Sequence, residues 1–148
     1  MKFLLIAITL LGFAAGDGAP APDFSGNWKQ DNEHCSPKRS GDVTLKIQQS
    51  NSALVVETTF KGLIARHALQ RYTTDGVESV STGADGDEFH STVIRKDATL
   101  VFDIIEIEDS KRLKSSEIWS LNDGGNSLMR VRRTEKSGDQ VLLYVRVR

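Results

Sequence analysis

The residues of this 148-residue chain whose types lend themselves to chemistry are three histidines, one cysteine and a late cluster of arginines. His34, His67 and His90 stand far apart, with no His-x-His, His-Glu-x-x-His or paired-cysteine spacing, so the sequence writes out no metal-ligand set. Glu33, His34 and Cys35 place a carboxylate, an imidazole and a thiol in a row, but neighbours on an extended chain point to opposite faces, which works against a catalytic dyad. That stretch reads as a polar loop. The Gly- and Asp-rich stretches 83–87 and 122–126 lack the regular acidic spacing of a calcium loop and read as hairpin turns. No catalytic residue, metal or cofactor is indicated. What remains is basic: Arg130 and Arg132 share one face of an extended strand, and Tyr144, Arg146 and Arg148 share a face of the next. Antiparallel pairing would bring the two sets together as an anion-binding group, and a guanidinium suits that role because it donates two parallel hydrogen bonds. The competing pattern is the alternation of Val141, Leu143, Val145 and Val147, which makes the opposite face apolar and turns Tyr144, Arg146 and Arg148 outward.

Composition narrows the class. Hydrophobic residues make up 39%, charged residues 26%, and the net charge is −1, which excludes wholesale disorder and a polybasic nucleic-acid binder. The charge is uneven: over 17–109 nine Lys and Arg stand against sixteen Asp and Glu, and over 110–148 nine stand against four. Such a split makes neighbouring strands complementary and can draw an anionic ligand to one side. A single cysteine cannot close an intramolecular disulfide, so Cys35 either links two chains or stays buried, and the expected state is a monomer or a Cys35-linked dimer.

Lys2 precedes an unbroken apolar run over 3–11, followed by small residues through Gly16. The run falls short of the roughly 20 residues of a membrane span and reads as a secretory signal peptide over 1–16, with cleavage before Asp17. The mature chain is then expected to be exported, to the periplasm or beyond, with no membrane span. Residues 17–23, which include Ala-Pro-Ala-Pro, form a flexible leader.

From residue 24 to 148 the pattern is that of one all-β domain. Residues 24–30 form a first strand; Val43, Leu45 and Ile47, then Leu54, Val56, Thr58 and Phe60, alternate with polar residues around the turn Ser50-Asn51-Ser52. Further runs cover 63–73, 77–82, 88–95, 99–107, 112–121, 127–134 and 140–148, and the gaps between them carry turn residues such as Asp75-Gly76 and Ser137-Gly138-Asp139. Only 64–70 competes as a short helix. About eight to ten sequential short strands close most economically as an up-and-down antiparallel β-barrel, because closure removes the exposed edges; a sandwich is the alternative. An internal echo runs through the chain: 53–57 aligns with 99–103, and 70–76 with 117–124.

The opening Phe24-Ser25-Gly26-Asn27-Trp28-Lys29 resembles the start of the lipocalin and fatty-acid-binding (calycin) superfamily, where Gly-x-Trp begins the first barrel strand. The stretch 117–121, with 128–134 and Tyr144, is similar to small exported bacterial proteins labelled lipocalin-like. The resemblance implies that Gly26 and Trp28 close the barrel floor and that a basic residue of a late strand, Arg133, Arg146 or Arg148, packs on the indole. It also implies that Arg and Tyr residues of late strands hold a ligand carboxylate inside the barrel, for which Arg130, Arg132, Tyr144 and Arg146 are the candidates. The function expected is an exported small-molecule binding protein, not an enzyme, taking a lipophilic or weakly acidic ligand in the barrel interior. The other reading is a non-catalytic interaction or structural protein with a filled barrel and a charged working surface.

Overall fold

The computed structural model describes residues 21–148, so the expected signal peptide and residues 17–20 of the leader lie outside the described residues. Ten strands follow in chain order: β1 (Gly26–Gln30), β2 (Asp42–Gln49), β3 (Ala53–Lys61), β4 (Arg66–Thr73), β5 (Ser79–Thr82), β6 (Glu88–Lys96), β7 (Thr99–Glu108), β8 (Lys111–Asn122), β9 (Ser127–Thr134) and β10 (Gly138–Val147). They form one antiparallel sheet in the order β4-β3-β2-β1-β10-β9-β8-β7-β6-β5, which curls into a nearly closed up-and-down barrel rather than a sandwich. Residues 66–70 of the stretch that competed as a helix belong to strand β4. Residues 62–65 are its connecting loop, so this strand begins later than its sequence run.

Pairing of β1 with β10 joins the two ends of the domain, and the remaining seam lies between β4 and β5. No backbone ladder crosses that seam. Two hydroxyls of β5 bridge it instead: the amides of Arg71 and Thr73 donate to Ser81 Oγ (3.3 Å) and Ser79 Oγ (3.2 Å). Elsewhere the turns follow turn chemistry. Asp109 and Ser110 both take positive φ between the paired residues Glu108 and Lys111, as a two-residue hairpin turn with the right twist requires.

Successive hairpins place loops alternately at the two ends. At one end, here the floor, the interior is packed by Phe24, Trp28, Leu45, Leu54, Leu100, Phe102, Trp119 and Leu128. Phe102 sits at its centre, 4.6 Å from Trp119 and 5.3 Å from Tyr72 between ring centroids. The internal echo is visible in this packing: Leu54 and Leu100, Val56 and Phe102, and Tyr72 and Trp119 occupy corresponding buried positions on the β3–β4 and β7–β8 hairpins. Each such side chain contributes about 1.5 to 3 kcal/mol by leaving water.

The same end shows why Gly26 is glycine. Its φ of 141° disfavours any side chain, and a Cβ there would collide with the Arg146 guanidinium. That guanidinium lies over the buried Trp28 ring, and the indole Nε1 donates to Phe24 O at 3.0 Å. Of the three basic residues expected to pack on Trp28, the position belongs to Arg146. Arg133 is on the outer face, paired with Asp139 at 2.8 Å.

Candidate functional site

The other end of the barrel is hollow. A cavity of about 280 Å³ opens there, with Tyr72, Phe89, Ile104 and Leu113 on its walls and Glu106 and Arg132 among its polar lining. Below it the packed floor begins. The boundary between the two halves is a cluster of charged side chains from the adjacent strands β8 and β9, joined by a tyrosine of β10.

Inward-facing positions on β8 run Leu113, Ser115, Glu117, Trp119 and Leu121, so the period of two carries one carboxylate into the apolar interior. Glu117 is 1% exposed. Its partner directly across the β8–β9 ladder is Arg132, and Arg130 is opposite Trp119. Glu117 Oε2 accepts hydrogen bonds from Trp119 Nε1 (2.7 Å), Arg130 Nη2 (2.8 Å) and Arg130 Nε (2.9 Å). Oε1 accepts from Arg132 Nε (2.6 Å) and Arg130 Nη2 (3.1 Å), with Arg132 Nη2 at 2.5 Å. Arg130 also donates through Nη1 to the Tyr144 hydroxyl at 3.4 Å, and its guanidinium lies 4.6 Å from the Trp119 ring centroid.

The electrostatics follow from this geometry. Burial by itself would raise the Glu117 pKa, but the charges of Arg130 and Arg132, helped by the hydrogen bonds from Trp119 and Arg130, outweigh it and bring the carboxyl down to about 2. Glu117 is therefore ionised, and Arg130 is held protonated against its own burial chiefly by Glu117. One carboxylate faces two guanidinium groups, so the cluster carries a net positive charge. Glu106, also in the cavity lining, is shifted the other way: burial, then the nearby Asp87 and Glu108, push its pKa up.

Arg130, Arg132 and Tyr144 are thus brought together, and Arg146 is not. It sits at the opposite end on Trp28, donating to Ser25 O (2.6 Å) and Gly125 O (2.9 Å), which corrects its assignment as a ligand-binding residue. The strand face expected to point outward is the inner one: Leu142 and Tyr144 are buried, whereas Val145 and Val147 are 43% and 46% exposed. Pairing of β10 between β1 and β9 fixes this, since Tyr144 and Arg146 must occupy the same face as their neighbours Leu128 and Trp28 in order to fill the barrel. The residue that sequence reasoning missed is Glu117. Its signal was a carboxylate on the strand face that also carries Trp119 and Leu121.

The remaining reactive residues lie elsewhere. Cys35 belongs to the 31–41 loop and is 4% exposed, its sulfur turned inward to accept from the Leu143 amide at 3.4 Å. His34 pairs with Asp31, His67 with Thr59, and His90 with Glu78 and Glu88. Among the described residues no three His, Cys, Asp or Glu side chains converge as metal ligands. Among the described residues, too, no helix is long and apolar enough to cross a membrane.

No family model and no curated protein matches the chain. Solved structures do. A fatty acid transporter, REP1-NXSQ, superposes with a TM-score of 0.64 at 13% identity, covering 84% of this chain and 96% of that one. The fatty-acid-binding protein 1 of Echinococcus granulosus gives 0.61 at 12%, covering 84% and 98%. The chain has the fatty-acid-binding-protein fold. The fluorescent protein UnaG shares this calycin fold, with a TM-score of 0.62 at 17% identity over 84% of this chain and 97% of that one. Identities this low speak for the fold, and the site stands on its own residues.

Proposed function

We propose that the chain is a small-molecule binding protein rather than an enzyme, exported as a monomer after loss of residues 1–16. Its ligand would be a lipophilic or weakly acidic compound held in the upper half of the barrel. The observation that carries this reading is Arg132. It lines the cavity, is 36% exposed, and belongs to a cluster with one more positive charge than negative. An apolar body fits against Phe89, Ile104 and Leu113, while an acidic head finds its counter-charge at the guanidinium, so the head is not buried unpaired. The fold of the fatty acid transporter and of the Echinococcus fatty-acid-binding protein supports a ligand of this kind. A volume of about 280 Å³ lies just under the roughly 300 Å³ at which small-molecule pockets begin, which favours a short ligand over a long lipid.

Titration with a fluorescent medium-chain fatty acid tests the reading. Wild type should bind saturably. Arg132→Ala should bind about 10- to 100-fold more weakly, the usual worth of a charge-assisted hydrogen bond. Equal binding by both would remove Arg132 from the site. Absence of binding, with no retained small molecule in native mass spectrometry of the exported protein, would favour the interaction-protein reading instead.

A further inference from the structure

Every nitrogen of the Arg130 guanidinium has a partner. Nε and Nη2 go to Glu117, Nη1 goes to Tyr144, and the flat face rests on Trp119, leaving the side chain 11% exposed. Arg132 gives Nε and Nη2 to Glu117 Oε1 and keeps the rest of its guanidinium towards the cavity. The Glu117 carboxylate therefore sits where the carboxylate of a bound molecule would sit if two guanidinium groups were left open in the interior. It arrives from the neighbouring strand rather than from solution.

We infer that Glu117 is the specificity-determining residue of the cavity, a built-in carboxylate that fills the seat between Arg130 and Arg132 and leaves the ligand a single guanidinium edge. This rests on the binding function proposed above and says which ligands it admits. With Glu117 in place the cluster offers one net positive charge, which matches a monocarboxylate or a neutral acceptor. A dianionic head such as a phosphate monoester would leave one charge unmatched by the cluster, and the rest of the lining adds no net positive charge, since Lys114 and Lys136 stand there against Glu106, Glu108 and Glu135. Glu117 also sets depth. The Arg130 layer is closed by it, so the head of the ligand stops at Arg132 and cannot descend to Trp119.

The test empties the seat. Glu117→Ala leaves two guanidinium groups facing a void the size of a small carboxylate. Melting of this variant is followed in propionate and in chloride at equal ionic strength, and affinities of wild type and variant are compared for a fluorescent alkyl carboxylate and an alkyl phosphate monoester of equal chain length. Propionate should raise the melting temperature of the variant saturably, with little effect on wild type. The ratio of phosphate to carboxylate affinity should rise about tenfold or more in the variant. The inference is overturned if propionate does no more than chloride and the ratio is unchanged. If Glu117→Ala fails to fold in chloride, folding in propionate supports the inference; failure in both, with an unaltered ratio in the isosteric Glu117→Gln, overturns it. The propionate result requires no wild-type ligand, so rescue of the variant without any binding by wild type would sink the proposed function while leaving the anion seat standing.

Discussion

Arg146 and Trp28 are direct partners across the β1–β10 pairing, with the guanidinium 4.2 Å from the centre of a fully buried indole ring. This contact joins the first and last strands of the domain, and the same arginine ties down the backbone of Ser25 and Gly125 on either side. Trp28→Ala removes one of the two tryptophans of the floor and should cost about 3 to 5 kcal/mol, measured by urea unfolding. Arg146→Lys keeps the charge but loses the flat stack and the two-sided donation, and should cost about 1 to 2 kcal/mol. A loss below about 1 kcal/mol for Trp28→Ala would mean that the floor closes without it.

The buried cluster gives the fold an acid limit. Glu117 is ionised in the folded state with a pKa of about 2, below the ordinary carboxylate value of 4.5, so its contribution is fully present above about pH 4.5 and is lost as the pH falls towards 2. The linkage amounts to about 3 kcal/mol. Unfolding measured from pH 7 to pH 2 should show this loss for wild type, and Glu117→Gln should flatten it. Breaking the pair by Glu117→Gln should itself cost about 3 to 5 kcal/mol at pH 7, whereas Glu117→Leu combined with Arg130→Met should cost less, since only Arg132, which is partly exposed to the cavity, then lacks its partner.

Much of this architecture was legible in the residues. Alternation at Val43, Leu45 and Ile47, the turn signals and Gly26-x-Trp28 carried the barrel, because strand period and turn chemistry are local properties. The site was half legible. Arg130, Arg132 and Tyr144 could be grouped by spacing, but the inward face of β10 could not be told from the strand itself. Both its faces carry aliphatic or aromatic residues, and the choice is made by Trp28 and Leu128 on the neighbouring strands. Glu117 went unread for a related reason: a carboxylate on an apolar face is recognisable as functional only once its counter-ions on β9 are known to lie beside it.

The β4–β5 seam should be the weakest joint of the barrel. Two serine hydroxyls replace a backbone ladder there, and β5 has only four residues with none fully buried. In hydrogen exchange, the amides of Arg71 and Thr73 should exchange faster than the β4 amides that face β3. Replacing Ser79 and Ser81 together by Ala should speed both by an order of magnitude or so and cost about 1 to 3 kcal/mol in total. Unchanged rates would show that the seam is held by something other than the hydroxyls.

His90 supplies a second, opposite pH dependence. Its Nδ1 lies 3.0 Å from Glu78 Oε1 and its Nε2 lies 2.6 Å from Glu88 Oε1, so both ring nitrogens face a carboxylate. Hydrogen bonds donated to Glu78 and then to Glu88 favour the charged imidazolium and raise the His90 pKa above its ordinary 6.5, with burial opposing. A raised folded-state pKa means that the contribution is fully present below about pH 6.5 and fades as the pH climbs through the folded value. The Glu78 contact fastens the residue before β5 to β6, next to the weak seam, while the Glu88 contact lies within β6, so the loss should register locally. NMR titration should place the His90 midpoint above 6.5, and Glu78→Gln or Glu88→Gln should each bring it down. Exchange at the Ser79 and Ser81 amides should quicken above the His90 midpoint in wild type and lose that step in His90→Gln. A His90 midpoint at or below 6.5 would show that the two carboxylates do not hold the ring in its charged form.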